Sequence, residues 1–333
     1  MRALFFIQGF DVAASRYRVL NYLPGLNARG ITATAADFPR RLSQVPGALE
    51  AARSADTLFL QRKQLGAPLL SLLRAATGRL IYDFDDSLWV RSAKHAENRS
   101  FTRELRFARM VSRADHVVAG NSFLAERAAR ANPNVTVIPT PIDVTRYTVR
   151  PEEHDPNRVT VGWIGAHASI HYLERLRDAL CRAHERDRRL RLKIICDVFP
   201  EFGALPVDRV AWSAATEAAE LATFDIGIMP LLEDDWSRGK CGLKALQCMA
   251  AGVPVVVTPV GINADLVVDG VEGFHASTSD TWVERMLLLA GDSALRRRMG
   301  LRARAAVEER YSLATCLPVI ERVLRGDGAK PVR

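Results

Sequence analysis

Phe224-Asp225-Ile226-Gly227-Ile228-Met229-Pro230 begins a stretch that passes through an acidic turn. It continues as Trp236-Ser237-Arg238-Gly239-Lys240-Cys241-Gly242-Leu243-Lys244-Ala245-Leu246-Gln247-Cys248-Met249-Ala250-Ala251-Gly252 and ends on Val253-Pro254-Val255-Val256-Val257. The apolar runs at 226–229 and 253–257 are short and bounded by turn residues, so each predicts a buried strand. Between them residues 240–251 predict a helix stopped by Gly252. A strand, a helix and a strand in succession predict a parallel sheet covered on both faces.

The same alternation extends outward. In the first half, strands are predicted at 3–7, 56–60, 80–84, 116–119 and 135–138, with helices at 16–29, 66–76, 101–112 and 123–131 and Asn121 as an N-cap. In the second half, strands are predicted at 159–164 and 192–196 and a helix at 171–185. From Thr281 onward the pattern is almost entirely helical. Pro139, Pro141, Pro151 and Pro156 interrupt the alternation and mark a linker. The organisation expected is an N-terminal Rossmann-like domain at 1–145, a linker at 146–157, a second Rossmann-like domain at 158–310 and a closing helix at 311–333 that packs back on the first domain.

The composition fits that scheme. A chain of 333 residues, 48% hydrophobic and 25% charged, is long enough for two domains with substantial cores. No apolar run reaches the roughly 20 residues needed to cross a bilayer, and residues 1–9 read as a strand and a turn, not a signal peptide; a cytoplasmic protein is expected. Five cysteines without a CxxC pair predict reduced thiols, not zinc or disulfides. The net charge of +8 rests on 46 basic residues, of which only six are lysines. An anionic partner would suit that charge. No nucleic-acid-binding motif accompanies it, so nucleic acid is not expected; a peripheral contact with anionic lipid stays open.

In open parallel sheets, ligands lie beyond the carboxyl ends of the strands. The loop with Arg238, Gly239 and Lys240 leads from such an end into a helix start, whose free N–H groups and dipole favour a diphosphate. Gly239 and Gly242 let the backbone approach closely, and Arg238 and Lys240 add positive charge. An ordinary loop with solvated basic side chains would look the same.

The stretch resembles the donor-binding signature of retaining glycosyltransferases of family 4. The likeness is carried by Met249-Ala250-Ala251-Gly252-Val253-Pro254-Val255-Val256, by Gly261-Ile262-Asn263-Ala264-Asp265 and by Asp269-Gly270-Val271-Glu272-Gly273. It implies the α/β GT-B fold: two facing Rossmann-like domains with parallel sheets and a cleft between them. It also implies a nucleotide-diphosphate-sugar donor and retention of configuration. Two departures mark a divergent subgroup. The family's glutamate pair falls on Gly239 and Gln247, and Glu233, Asp234 or Asp235 stands near enough to replace the first. The basic residues that usually open the second domain fall, aligned on Gly165, at Ala166 and His171.

The resemblance therefore implies donor-binding residues Gly165, His167, Arg238, Lys240, Gln247, Asn263 and Asp265. On the acceptor side it points to the loop Gly9-Phe10-Asp11-Val12-Ala13-Ala14-Ser15-Arg16-Tyr17-Arg18, with Gly9, Ser15 and Arg16, and Arg18 as a further cation for an anionic acceptor. Asp85 and Asp86, adjacent carboxylates at a strand end, are candidates for binding acceptor hydroxyls or for base catalysis, with Lys240 as the third catalytic candidate. His95 is near in sequence but out of register.

The function expected is sugar transfer from a nucleotide-diphosphate sugar to an unknown acceptor, with neither metal nor other cofactor. The alternatives are a nucleotide-sugar epimerase, or a non-catalytic scaffold or nucleotide-sugar-binding subunit, which the missing glutamates would favour.

Overall fold

The computed structural model describes residues 1–91, 98–149, 155 and 157–327. The chain divides into two compact units. The first comprises Met1–Pro141, Asp234–Cys241 and the C-terminal segment from Leu313; the second comprises Ile142–Glu233 and Gly242–Ser312. Part of the expected linker (150–154 and 156) and His95 lie outside the described residues.

The first unit is built on a six-stranded parallel sheet. Its strands are β1 (Arg2–Ile7), β2 (Thr32–Asp37), β3 (Thr57–Gln61), β4 (Leu80–Phe84), β5 (His116–Ala119) and β6 (Val135–Val137), in the order β2-β1-β3-β4-β5-β6. Both faces are buried, and alternate residues serve opposite cores. Leu4, Phe6, Leu58, Leu60, Leu80, Tyr82 and Phe84 pack under the helices Val45–Arg53, Ala67–Ala76 and Phe101–Arg113. Ala3, Phe5, Ile7, Phe59, Ile81 and Val118 face the other way and meet Cys316, Ile320, Val323 and Leu324 of the helix Leu313–Arg325.

The helix predicted at 16–29 is two helices, Ala13–Arg18 and Leu23–Ala28, joined by one 3-10 turn. Pro24 has no N–H to give to a continuous helix and occupies the first turn of the second one. Asn121 caps the helix Ser122–Ala129 by accepting from the Leu124 N–H at 2.8 Å.

The second unit repeats the plan with β7 (Val159–Ile164), β8 (Leu190–Cys196), β9 (Val207–Ala211), β10 (Ile226–Met229), β11 (Val255–Val257) and β12 (Gly273–His275), ordered β12-β11-β10-β7-β8-β9 and parallel throughout. One face is covered by the helices Arg177–Arg186 and Ser279–Gly291, and the helix Leu243–Ala250 packs on β10 and β11. That helix begins three residues later than predicted, because Gly242 adopts a left-handed backbone (φ 69°). A Cβ there would lie 2.2 Å from Leu266 Cδ1, so only glycine fits the turn.

Cys196, Cys241, Cys248 and Cys316 are buried and Cys181 is half-buried, all as free thiols. No helix among the described residues is long and apolar enough to cross a membrane.

Candidate functional site

In the second unit the chain runs from β7 outward through β8 and β9, then resumes on the other side of β7 with β10. The order of strands therefore reverses between β7 and β10, and the crevice beyond their carboxyl ends is the place this topology offers to a ligand. Gly165 follows β7 and donates its N–H to the Ile195 carbonyl at 3.0 Å. His167 stands exposed in the next turn. Its backbone N–H and its Nδ1 contact the two carboxylate oxygens of Asp197 at 2.7 and 2.8 Å. That hydrogen bond from His167, with a smaller contribution from the Cys196 thiol, lowers the Asp197 pKa to about 2.

The helix Leu243–Ala250 begins at Gly242, which has no side chain to cap its first N–H groups. Gln247 is buried on this helix. Asn263 is fully buried at the carboxyl ends of β10 and β11, where its Nδ2 donates to the Met229 and Thr258 carbonyls at 3.4 and 3.1 Å. Its Oδ1 is buried with no hydrogen-bond partner among the described residues. A buried acceptor of this kind calls for a donor, and a ligand hydroxyl or N–H is one. Asp265 is exposed one turn along. A cavity of about 170 Å³ opens at the same end of the sheet, lined among others by Tyr172, Arg175, Pro230, Leu232, Thr258 and Trp282.

The first unit has its own reversal, between β1 and β3. Gly9 follows β1 and Arg62 follows β3. Arg62 is the single non-glycine residue with positive φ (58°) among the described residues. That conformation costs an L-residue roughly 1–2 kcal/mol, and such strain persists where surrounding contacts impose it. Here the guanidinium contacts Asp85 at 3.0 Å and also Asp86. Asp86 in turn accepts from Lys240 Nζ at 2.7 Å. The Lys240 ammonium lies 4.3 Å from the centroid of the Trp236 ring; burial, and then the charge of Arg62, lower its pKa to about 8. Asp85, Asp86 and Lys240 thus form one cluster, and Arg62 holds it together.

Arg238 and Lys240, grouped from the sequence with the second domain, belong to the first unit. The segment Asp234–Cys241 is held there by side chains that reach its backbone. Asn121 Nδ2 donates to the Arg238 and Lys240 carbonyls at 3.1 and 3.0 Å, and Ser87 Oγ to the Asp235 carbonyl at 2.6 Å. A Cβ on Gly239 would lie 2.2 Å from Ser87 Oγ and 2.6 Å from Ser87 N, so this position has no room for a side chain. Asp234 caps the short helix Asp235–Arg238 through the Ser237 N–H. The Arg238 guanidinium is 4.0 Å from Asp235.

On the loop after β1, Ser15 is fully buried and donates to Gln61 Oε1 at 2.8 Å. Arg16 is half-buried with its guanidinium 5.3 Å from the Tyr17 ring centroid. Arg18 is not open to an acceptor: its side chain is turned inward and pairs with Asp83, both almost wholly buried, because a charge in that position must find an opposite charge. A residue of the cluster around Asp85 and Asp86 that the sequence reading missed is Arg62, which is distinguished by a backbone angle.

Residues 158–292 match the profile of the family described as Glycosyl transferases group 1. A D-inositol 3-phosphate glycosyltransferase of Nocardia farcinica is 26% identical over 235 residues, 61% of this chain. The chain spans about half the length of that relative, 51%. Among solved structures, the HepE protein of Anabaena, determined with UDP and glucose, superposes with a TM-score of 0.75 at 17% identity, covering 98% of this chain and 100% of its own. A sucrose-phosphate synthase from Thermosynechococcus elongatus gives 0.75 at 15% identity, covering 98% of both chains. At these identities the solved structures establish the fold, two Rossmann-like α/β domains of the GT-B class.

Proposed function

We propose that this protein is a glycosyltransferase that moves a sugar from a nucleotide-diphosphate sugar to an acceptor with retention of configuration. The observation that carries the proposal is the family match over residues 158–292, on a sheet whose β7/β10 reversal opens beside Gly165 and the uncapped start of the helix Leu243–Ala250. HepE, of the same fold, was solved with UDP-glucose, which supports this donor class.

The donor lies in the second unit. Its diphosphate meets the N–H groups of the loop after Gly165 and of the helix start. Asn263 Oδ1 and Gln247 take hydrogen bonds from its hydroxyls. The C1–oxygen bond of the sugar breaks, and the electron pair stays on the terminal phosphate oxygen. The acceptor hydroxyl forms its bond to C1 on the same face and passes its proton to that phosphate oxygen. Fixed charges and dipoles that favour the diphosphate more as it leaves supply the rate enhancement. The acceptor is unidentified; Asp85 and Asp86, oriented by Arg62 and Lys240, are the acceptor-side groups.

The test is calorimetric binding of UDP-, GDP-, ADP- and dTDP-sugars, followed by turnover with the donor that binds. Binding with release of the nucleoside diphosphate in the presence of acceptor supports transfer. Binding to none of them by folded protein refutes it. Conversion of the donor with no acceptor present would point to an epimerase.

A further inference from the structure

The loop and helix start that follow β7 carry no lysine or arginine before Arg175, and Lys240 is held by Asp86 in the first unit. The donor diphosphate therefore needs another cation in the second unit, and the packing around Trp163 supplies one. Trp163, on β7, is almost completely buried in the core of that unit. Gly165 lies directly on the rim of its indole: a Cβ there would be 2.3 Å from Cη2 and 2.5 Å from Cζ2. The third neighbour of that position is Lys244, whose Cε would be 2.9 Å away. The Lys244 ammonium is 5.9 Å from the centroid of the same ring. The lysine stem is thus packed between indole and glycine backbone, and its head is delivered to the carboxyl end of β7. Lys244 is also the second residue of the helix Leu243–Ala250, so its ammonium is carried by the first turn of that helix, the end of positive dipole.

We infer that Lys244 binds the diphosphate of the donor and neutralises it as a leaving group. The inference rests on the proposed function and names the cation of that site. Gly165 contributes by having no side chain: any Cβ would displace the indole or the lysine. As the C1–oxygen bond breaks, negative charge grows on the terminal phosphate oxygen, and the ammonium donates to that oxygen.

The experiment is calorimetric titration of the full chain with UDP and with uridine, or with the nucleoside pair matching the donor found above. The variants are Lys244→Met, Lys244→Arg, Lys240→Met and, as a remote control, Lys193→Met, whose ammonium pairs with Glu220. Methionine keeps an unbranched stem against Trp163, so the fold is retained; an unchanged melting temperature checks this. For Lys244→Met we expect a loss of diphosphate affinity of roughly 10- to 100-fold, the size of one charge-assisted hydrogen bond. Uridine affinity should change less than about twofold, the dependence of UDP binding on salt should flatten, and Lys244→Arg should recover much of the loss. Lys193→Met should bind like the wild type. Unchanged diphosphate affinity in Lys244→Met overturns the inference, as does a loss confined to Lys240→Met. Equal losses for UDP and uridine overturn it as well, since they would mean a packing role. Absence of binding by the wild type itself would instead bring down the proposed function on which the inference stands.

Discussion

Replacing Asp83 with asparagine removes one charge from a pair that the first unit has sealed away from water. The two side chains are 1% and 2% exposed. Arg18 Nε donates to both carboxylate oxygens at 3.1 Å, and its Nη1 donates to the Ile138 carbonyl at 2.9 Å. The carboxylate is thus the counter-charge that lets a guanidinium sit beneath the sheet. Asparagine has nearly the same shape but leaves that cation without a counter-ion. Breaking a buried pair in this way costs about 3–5 kcal/mol, which for a domain of this size is a fall in melting temperature on the order of 10 °C. Removing both charges should cost much less, because Arg18→Met with Asp83→Leu replaces an ion pair with apolar packing. Scanning calorimetry of the two single variants and the double variant measures the coupling. The chain has two units and need not melt in one step, so the shift should appear in one component of the melting profile. A loss below about 1 kcal/mol in Asp83→Asn would refute this account, as would a double variant no more stable than the worse single one.

Two further substitutions follow from the same reasoning. Gly239→Glu should lower both melting temperature and turnover. Its Cβ meets the backbone nitrogen of Ser87, and forced overpacking of this kind costs roughly 1–3 kcal/mol; a gain in turnover would show that the segment Asp234–Cys241 is held differently. His116 is buried beside Thr136 Oγ1 at 2.9 Å, and burial, followed by the charge of Arg79, lowers its pKa from 6.5 to about 4. The unfolded chain then binds the extra proton between those two values, so stability should fall as pH drops from about 6.5 to about 4, by up to about 3 kcal/mol. Urea unfolding across that range checks this, and His116→Gln should flatten the dependence.

The elements that could be read from the sequence are those whose burial is nearly complete. Strands β1, β3, β4, β5, β7 and β10 have no solvent face over most of their length, so they appear as continuous apolar runs. β2, β9 and β12 were missed, and all three are edge strands: Thr32-Ala33-Thr34-Ala35-Ala36-Asp37 and Val207-Asp208-Arg209-Val210-Ala211 are half-exposed and lack an apolar run, and Gly273-Phe274-His275 is only three residues long. The helix break at Arg18–Leu23 was signalled by Pro24 and overlooked because the apolar periodicity continues across it. At the site, Asp85, Asp86 and Lys240 could be named from sequence, but their grouping could not. It depends on Asn121 and Ser87 gripping backbone carbonyls more than 100 residues away. Arg62 gave no sequence signal, because what distinguishes it is a left-handed backbone angle that arginine rarely adopts.

The helix Leu313–Arg325 has a consequence for how the protein is made. Together with Val19, Tyr22 and Leu26 it covers one face of a sheet whose strands all lie within the first 137 residues. A chain leaving the ribosome at 5–20 residues per second would expose those strands roughly 10–40 seconds before the covering helix emerges. Phe5, Ile7, Phe59 and Val118 would spend that interval only partly covered, by Val19, Tyr22 and Leu26, a face open to chaperones and to unwanted partners. The first unit is therefore completed by residues made after the second, and deleting residues 313–325 would damage the N-terminal half.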